Sequence, residues 1–221
     1  ASLVADSLFE SESHSIMTYK LSEGPLVLMD SVFNAGNLTV STSCLYAMLR
    51  IKPGDVFNQS KVNTLKKIYL NSPVIQEASS FKLNYRGTKA DLLINLLKEK
   101  QAQFDGIVGI SPNHYVDGKV VISGEIKLEV NNLLEHLDHI EMKWQRYDIG
   151  TQELHFNFEY PYLFGTQLAP EYRLQLYKKD SAYISVSNQI ALQYKFHLSN
   201  FVKVFFQQDQ TTIVKNNGES S

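Results

Sequence analysis

The sequence has almost no cysteine: Cys44 is the single one in 221 residues. One thiol makes no internal disulfide and supports no cysteine-based metal site. Long hydrophobic runs are missing too. No stretch approaches the roughly 20 consecutive apolar residues of a membrane-spanning helix, and mean hydropathy is -0.20. Helical spanning is thereby excluded. A membrane β-barrel is not, because its strands alternate and look mildly polar on average. Basic excess is absent as well: 21 Lys and Arg against 23 Asp and Glu leave a net charge of -2. That is not the electrostatic footprint of a nucleic-acid binder, and no nucleic-acid partner is expected. No charged-then-apolar signal segment opens the chain, and no methionine does. The expectation is a processed mature protein or a piece of a longer one.

Catalytic signatures are equally scarce. The six histidines show no metal-ligand spacing; His136 and His139, with Asp138 between them, read as a solvated turn. Glu141, Glu153 and Glu159 suit a regular polar strand face better than a glycosidase carboxylate pair. No nucleophile-elbow motif frames a serine. Cys44 lies on an apolar helical stripe and reads as core. No catalytic residue, metal or cofactor is expected, and the protein is not expected to be an enzyme.

What is present is alternation. Apolar residues make up 43% and aromatics 11%, with 12 Tyr and 12 Phe, enough for a sizeable core or an interfacial belt. Up to about residue 100, strand-like and helix-like segments mix. Residues 14–21 and 26–32 read as strands, and Asn34-Ala35-Gly36-Asn37 as a turn. Residues 39–50 look helical, with Cys44, Leu45, Met48 and Leu49 on one stripe, and Lys52-Pro53-Gly54-Asp55 stops that helix. Asn58 caps a second helix with Val62, Leu65, Ile68 and Tyr69 at helical spacing, ended by Ser72-Pro73. Residues 74–85 and 89–97 flank Arg86-Gly87 as a hairpin. The leucines of the second arm would also suit a helix, but the Gly87 turn favours a strand. The predicted order is β-α-α-β-β.

Beyond residue 100 come alternating segments of roughly ten residues. One face carries Ile122, Ile126, Leu128, then Ile140, Met142, Trp144, then Leu154, Phe156, Phe158, then Tyr172 and Leu174. The other carries Glu125, Lys127, Glu129, Lys143, His155 and Arg173. Side chains alternate across a strand, so each segment has one apolar and one polar face. A soluble antiparallel sandwich or lipocalin-like barrel gives this pattern too. A membrane barrel is favoured by the charge on every polar face. Aromatics at strand ends (Trp144, Tyr147, Tyr160, Tyr162, Phe164, Tyr177, Tyr183, Tyr194, Phe196) also point to headgroup belts.

Several motifs, weak singly but specific in order, resemble the BamA/TamA family of outer-membrane assembly barrels. Gly36-Asn37, followed by residues 49–57 (LRIKPGDVF, with Lys52, Pro53, Gly54 and Asp55), resembles a POTRA domain. The resemblance implies three parts: residues 1–24 end a preceding POTRA domain, 25–100 form a β-α-α-β-β POTRA domain, and 101–221 form the N-terminal part of an antiparallel transmembrane β-barrel of about seven strands. Phe104, Asp105, Gly106, Ile107, Val108, Gly109, Ile110 and Ser111 look like the family's first barrel strand, one side of a lateral gate. Residues 120–134 look like the second strand. Tyr160, Pro161, Tyr162, Leu163, Phe164 and Gly165 resemble the turn after the fourth. Two departures stand out. Glu135 and His136 follow Asn132-Leu133-Leu134 where the family has glycine, and the strands fall short of the family's sixteen. The resemblance implies an insertion factor in the outer membrane, POTRA part in the periplasm, working without ATP. Its partners would be unfolded outer-membrane clients, outer-membrane lipid, and accessory lipoproteins or periplasmic subunits. The alternatives are a two-partner-type secretion transporter and a soluble β-barrel binding protein.

Overall fold

The computed structural model describes residues 2–11, 14–63, 74–98, 102–112, 120–148, 150–180, 182–196 and 200–214. Two strands, β1 (Ser2–Ser11) and β2 (His14–Ser22), pair antiparallel as a separate ribbon. Its apolar side chains stay exposed, Phe9 at 66% and Leu21 at 62%.

An α/β module follows. Its sheet contains β3 (Leu28–Asn34), β4 (Ile75–Arg86) and β5 (Lys89–Lys98) in the order β3-β5-β4. β5 pairs parallel with β3 and antiparallel with β4. The ambiguous second arm is therefore a strand. Ala90, Leu92, Ile94 and Leu96 are all at most 1% exposed, the period of two that a helix cannot produce. Gly87 turns the hairpin at φ +62, a conformation glycine adopts without steric penalty.

The first helix, α1, is Thr42–Leu49, shorter than the 39–50 read from the sequence. Ser41 is extended and its Oγ accepts from the Cys44 N–H at 3.3 Å, so capping chemistry overrides helical periodicity there. The described part of α2 is Gln59–Asn63, with Asn58 Oδ1 accepting from Ser60 N–H at 2.8 Å. Leu65, Ile68, Tyr69, Ser72 and Pro73 lie outside the described residues. Cys44, Leu45, Met48 and Val62 bury against Val32, Leu92 and Leu96 in one core.

The remaining strands form one antiparallel sheet: β6 (Ala102–Pro112), β7 (Val120–Asn131), β8 (His139–Arg146), β9 (Gln152–Glu159), β10 (Leu168–Lys179), β11 (Tyr183–Lys195) and β12 (Phe201–Ile213). They pair in sequence order, from β6 at one edge to β12 at the other, and the sheet is not closed. β7 ends at Asn131 rather than running to Leu134. Asn132 turns left-handed (φ 57), and the Asp138 carboxylate accepts from the Leu133 and Leu134 N–H groups, both at 2.9 Å. Those donors are thereby withdrawn from any ladder. Among the described residues no helix is long and apolar enough to cross a membrane.

Candidate functional site: a two-faced sheet and its turns

Register decides which side chains share a face. Ile126 sits opposite Trp144, Trp144 opposite Leu154, and Leu154 opposite Leu176. Leu128, Met142, Phe156 and Leu174 make a second row, and Ile140, Phe158 and Tyr172 a third. Ile122 opposes Ile110 on the same face, which also takes Phe104, Gly106 and Val108. The sequence-predicted apolar set is therefore one continuous surface across strands β6 to β10. Among the described residues no element packs over it as a second layer. Val108 is 73% exposed and Ile190, which continues the surface on β11, 62%. Monomeric soluble proteins rarely leave an apolar surface of that extent uncovered.

The opposite face is polar and ion-paired. Lys143 meets Glu125 at 3.2 Å and Lys127 meets Glu141 at 3.4 Å. Glu171, only 8% exposed, is paired with both Arg173 and Lys203. This face is the hollow one: Glu141, Lys143, Asn157, Arg173 and Gln189 line a concavity of about 590 Å³. The sheet thus curls with its polar face inward and its apolar face outward. A lipocalin-like soluble barrel has the reverse arrangement, because its inward face must supply the core. Here the described core residues of cluster size lie in the α/β module, joined by Leu137 and Tyr162 from turns of the sheet.

The aromatic belt is only partly where the sequence suggested. Trp144 lies on the apolar face, but register puts Tyr177 and Tyr183 on the polar one. The Tyr147 hydroxyl likewise donates to Gln145 (3.0 Å) and Glu153 (3.1 Å), both on the polar face. These three rings line the rim from inside, and only the parity of the ladder reveals it.

The first-strand candidates all fall on β6, whose one strand neighbour among the described residues is β7. Asp105, Ile107, Gly109 and, by register, Ser111 alternate with the apolar set. The close backbone approach between β6 and β7 lies at Gly124. A Cβ on Gly124 would meet Ile107 O at 2.9 Å, whereas one on Gly109 meets only the Ser123 hydroxyl.

In the α/β module, a Cβ on Gly36 would lie 1.9 Å from Leu96 O, so only glycine fits beside β5. The neighbouring Asn37 side chain accepts from Lys98 N–H at 3.0 Å. Lys52, Pro53, Gly54 and Asp55 form a turn with Gly54 at φ +88, Asp55 accepting from Lys52 N–H at 3.1 Å. That hydrogen bond, followed by the Lys61 ammonium, holds the Asp55 carboxyl below the usual range. In the strand-four turn, Tyr160 stacks on His136, while Tyr162 (φ 60) and Phe164 (φ 53) are both left-handed. Pro161 is buried, and Gly165 lies against Ser43 of α1. Burial raises the Tyr162 hydroxyl above its ordinary value. Cys44 is pushed up to about 12, by burial and then by the nearby Asp138 carboxylate. It is an inert core thiol, not a nucleophile.

One departure from the family resolves in geometry. Glu135 stands where the family has glycine and has φ 59, the region that favours glycine. Asn132, Glu135 and Leu137 are all left-handed, and Asp138, fully buried, organises the loop by accepting from three backbone N–H groups. Sequence reading treated 136–139 as a solvated turn; it is instead a built one, and the Asp138 that signals it looked unremarkable in sequence.

No protein-family model matches the chain, and no curated protein does. Solved structures do. BamA from Haemophilus ducreyi lacking POTRA domains 1–3 matches with a TM-score of 0.61 at 12% identity, over 97% of this chain and 42% of that one. The chain shares the fold of part of BamA. CdiB from Acinetobacter baumannii matches at a TM-score of 0.55 and 13% identity, over 85% of this chain and 39% of that one. The chain spans less than half the length of either. The likeness agrees with the BamA/TamA-type resemblance read from the motifs.

Proposed function

We propose that this chain is part of an outer-membrane β-barrel that inserts or translocates other proteins. In this reading residues 25–100 are a periplasmic POTRA domain, 1–24 the end of a preceding one, and 101–221 the N-terminal part of the barrel. The observation that carries it is the inside-out sheet: an uncovered apolar convex face against a hollow, ion-paired polar one. In a bilayer the apolar face meets acyl chains and the polar face a wet lumen.

The mechanism follows from hydrogen bonding. A strand edge in hydrocarbon leaves N–H and C=O groups without water, at several kcal/mol each. In the complete barrel the outer edge of β6 (residues 104–111) would pair only loosely with the closing strand, so a client strand that pairs there is strongly favoured. Gly106 and Gly109 weaken its pairing and ease exchange. The POTRA sheet edge receives unfolded segments by β-augmentation, which needs no particular client sequence. Accessory lipoproteins or periplasmic subunits fit the same scheme. No step requires ATP or a cofactor. The similarity to CdiB supports a second reading, a transporter for one dedicated partner on the same fold.

Fractionation tests the proposal. Retention in outer membranes through carbonate extraction is expected, with heat-modifiable migration. Release into the soluble fraction would favour a soluble binding barrel instead. Depletion that lowers many outer-membrane proteins at once supports insertion; loss of one secreted partner alone supports the transporter.

A further inference from the structure

Three sites lie at the same end of the seven-stranded sheet: the turns at 132–138 and 160–167, and the end of β11 at Lys195 with Phe196. The described parts of all three touch α1 or its caps, in order along the helix. At its N-terminal end, Glu135 O accepts from Ser41 N–H at 2.9 Å and Asn132 Nδ2 donates to Thr39 O at 2.7 Å. Leu137 enters the module's core at 6% exposure. Within the helix, at its second and sixth residues, a Cβ on Gly165 would lie 3.3 Å from that of Ser43 and Gln167 Nε2 donates to Ala47 O at 2.6 Å. At the C-terminal end, Arg50 donates to Phe196 O at 2.6 Å and to Lys195 O.

The lengths match. The eight residues of α1 span about 12 Å, and the extended residues before it with the cap after it bring the reach to roughly 20 Å. Successive turns at one end of an antiparallel sheet are about 9.5 Å apart, so three span roughly 19 Å. Backbone strain gathers here as well. Seven described non-glycine residues have positive φ, and six of them (Arg50, Asn132, Glu135, Leu137, Tyr162 and Phe164) belong to these contacts. Such conformations persist only where their surroundings hold them.

We propose that α1 is a three-point docking bar that holds the α/β module at one fixed bearing on the turn-bearing end of the sheet. A single contact would leave the module free to swivel. Contacts at both caps and within one helix fix rotation as well as position. The interface is internal to the chain and stands whether the sheet's outer face meets lipid or not.

The test uses the full-length protein in its native membrane or compartment, with Cys44→Ala removing the native thiol. Ser43→Cys with Gly165→Cys places the two Cβ atoms close to the separation a disulfide needs. Mild oxidation should crosslink most of the protein. Arg50→Asn, which keeps a residue tolerant of the left-handed cap, combined with Gln167→Ala should slow crosslinking by roughly tenfold, equivalent to about 1.4 kcal/mol. Because Gly165 has φ +68, where any side chain is strained, a second measurement leaves that position unchanged. Spin labels at Thr88→Cys on the module and Lys179→Cys at the far rim should give one narrow distance, broadened at least about twofold by the Arg50→Asn/Gln167→Ala pair. A broad distribution in the unaltered background, or a width the pair leaves unchanged, would overturn the proposal.

Discussion

The α/β module and the seven-stranded sheet handle the same problem, burying apolar side chains, in opposite ways. The module turns Leu92, Leu96, Cys44 and Val62 inward to 0% exposure and presents polar residues outward. The sheet turns Lys143, Asn157 and Arg173 into its hollow and leaves Ile122, Val108 and Ile190 outside. One polypeptide, with similar residue types in both parts, thus contains a right-side-out and an inside-out unit. The difference teaches that hydrophobic patterning reports on the solvent each face is built for. Water closes the module around its own core, whereas on the proposed reading the sheet's outer face meets an apolar surrounding.

Substitutions at the apolar positions of the two units break this comparison most strongly. In the module, Leu92→Ala removes a fully buried side chain and should cost about 2–5 kcal/mol. The check is loss of amide-exchange protection in β3 and β5. On the sheet, Ile126→Arg should cost roughly 2–4 kcal/mol at mid-bilayer and sharply lower the assembled fraction. Its neighbour Lys127→Ala on the polar face should be nearly silent. Equal membrane yields for the two variants would show the faces to be misassigned. Next in size is Asp138→Ala, which removes the shared acceptor of three part-buried backbone N–H groups and should destabilise the docking turn by about 1–3 kcal/mol. Local amide exchange at Leu133 and Leu134 reports it.

The smallest effect is on pH dependence. Cys44 is raised from 9.0 to about 12 in the folded module, so the unfolded chain loses its proton first. Its contribution to stability is complete below pH 9 and is lost as pH rises towards 12. Cys44→Ala should flatten that alkaline limb of a denaturation series. A thiol reagent at pH 8 should leave native Cys44 unmodified and label it once the module unfolds.

Much of this was legible beforehand because strand parity is written directly in sequence. Every apolar-face residue read from β7 to β10 shares one face in the ladder, and the β-α-α-β-β order of the module emerges as read. What stayed hidden depends on contacts distant in the chain. Thr39 to Ser41 look helical until Ser41 is seen to cap α1 and bond to Glu135. Asn132, Glu135 and Leu137 carry no glycine signal for the left-handed turn they build, since Asp138 supplies the stabilisation a glycine would not need. Tyr147, Tyr177 and Tyr183 looked like an outward belt because strand-end position is visible in sequence, while the face at a strand end is fixed by register. The docking role of Arg50 becomes apparent only with the fold.

Accessibility scanning along β9 tests the central claim most directly. Single spin labels at Leu154, His155, Phe156, Asn157 and Phe158 in the membrane-embedded protein are challenged with oxygen, which partitions into lipid, and with a water-soluble relaxant. The account predicts a period of two: Leu154, Phe156 and Phe158 respond to oxygen, and His155 and Asn157 to the aqueous reagent. Uniform aqueous accessibility, or the inverse alternation, would contradict it.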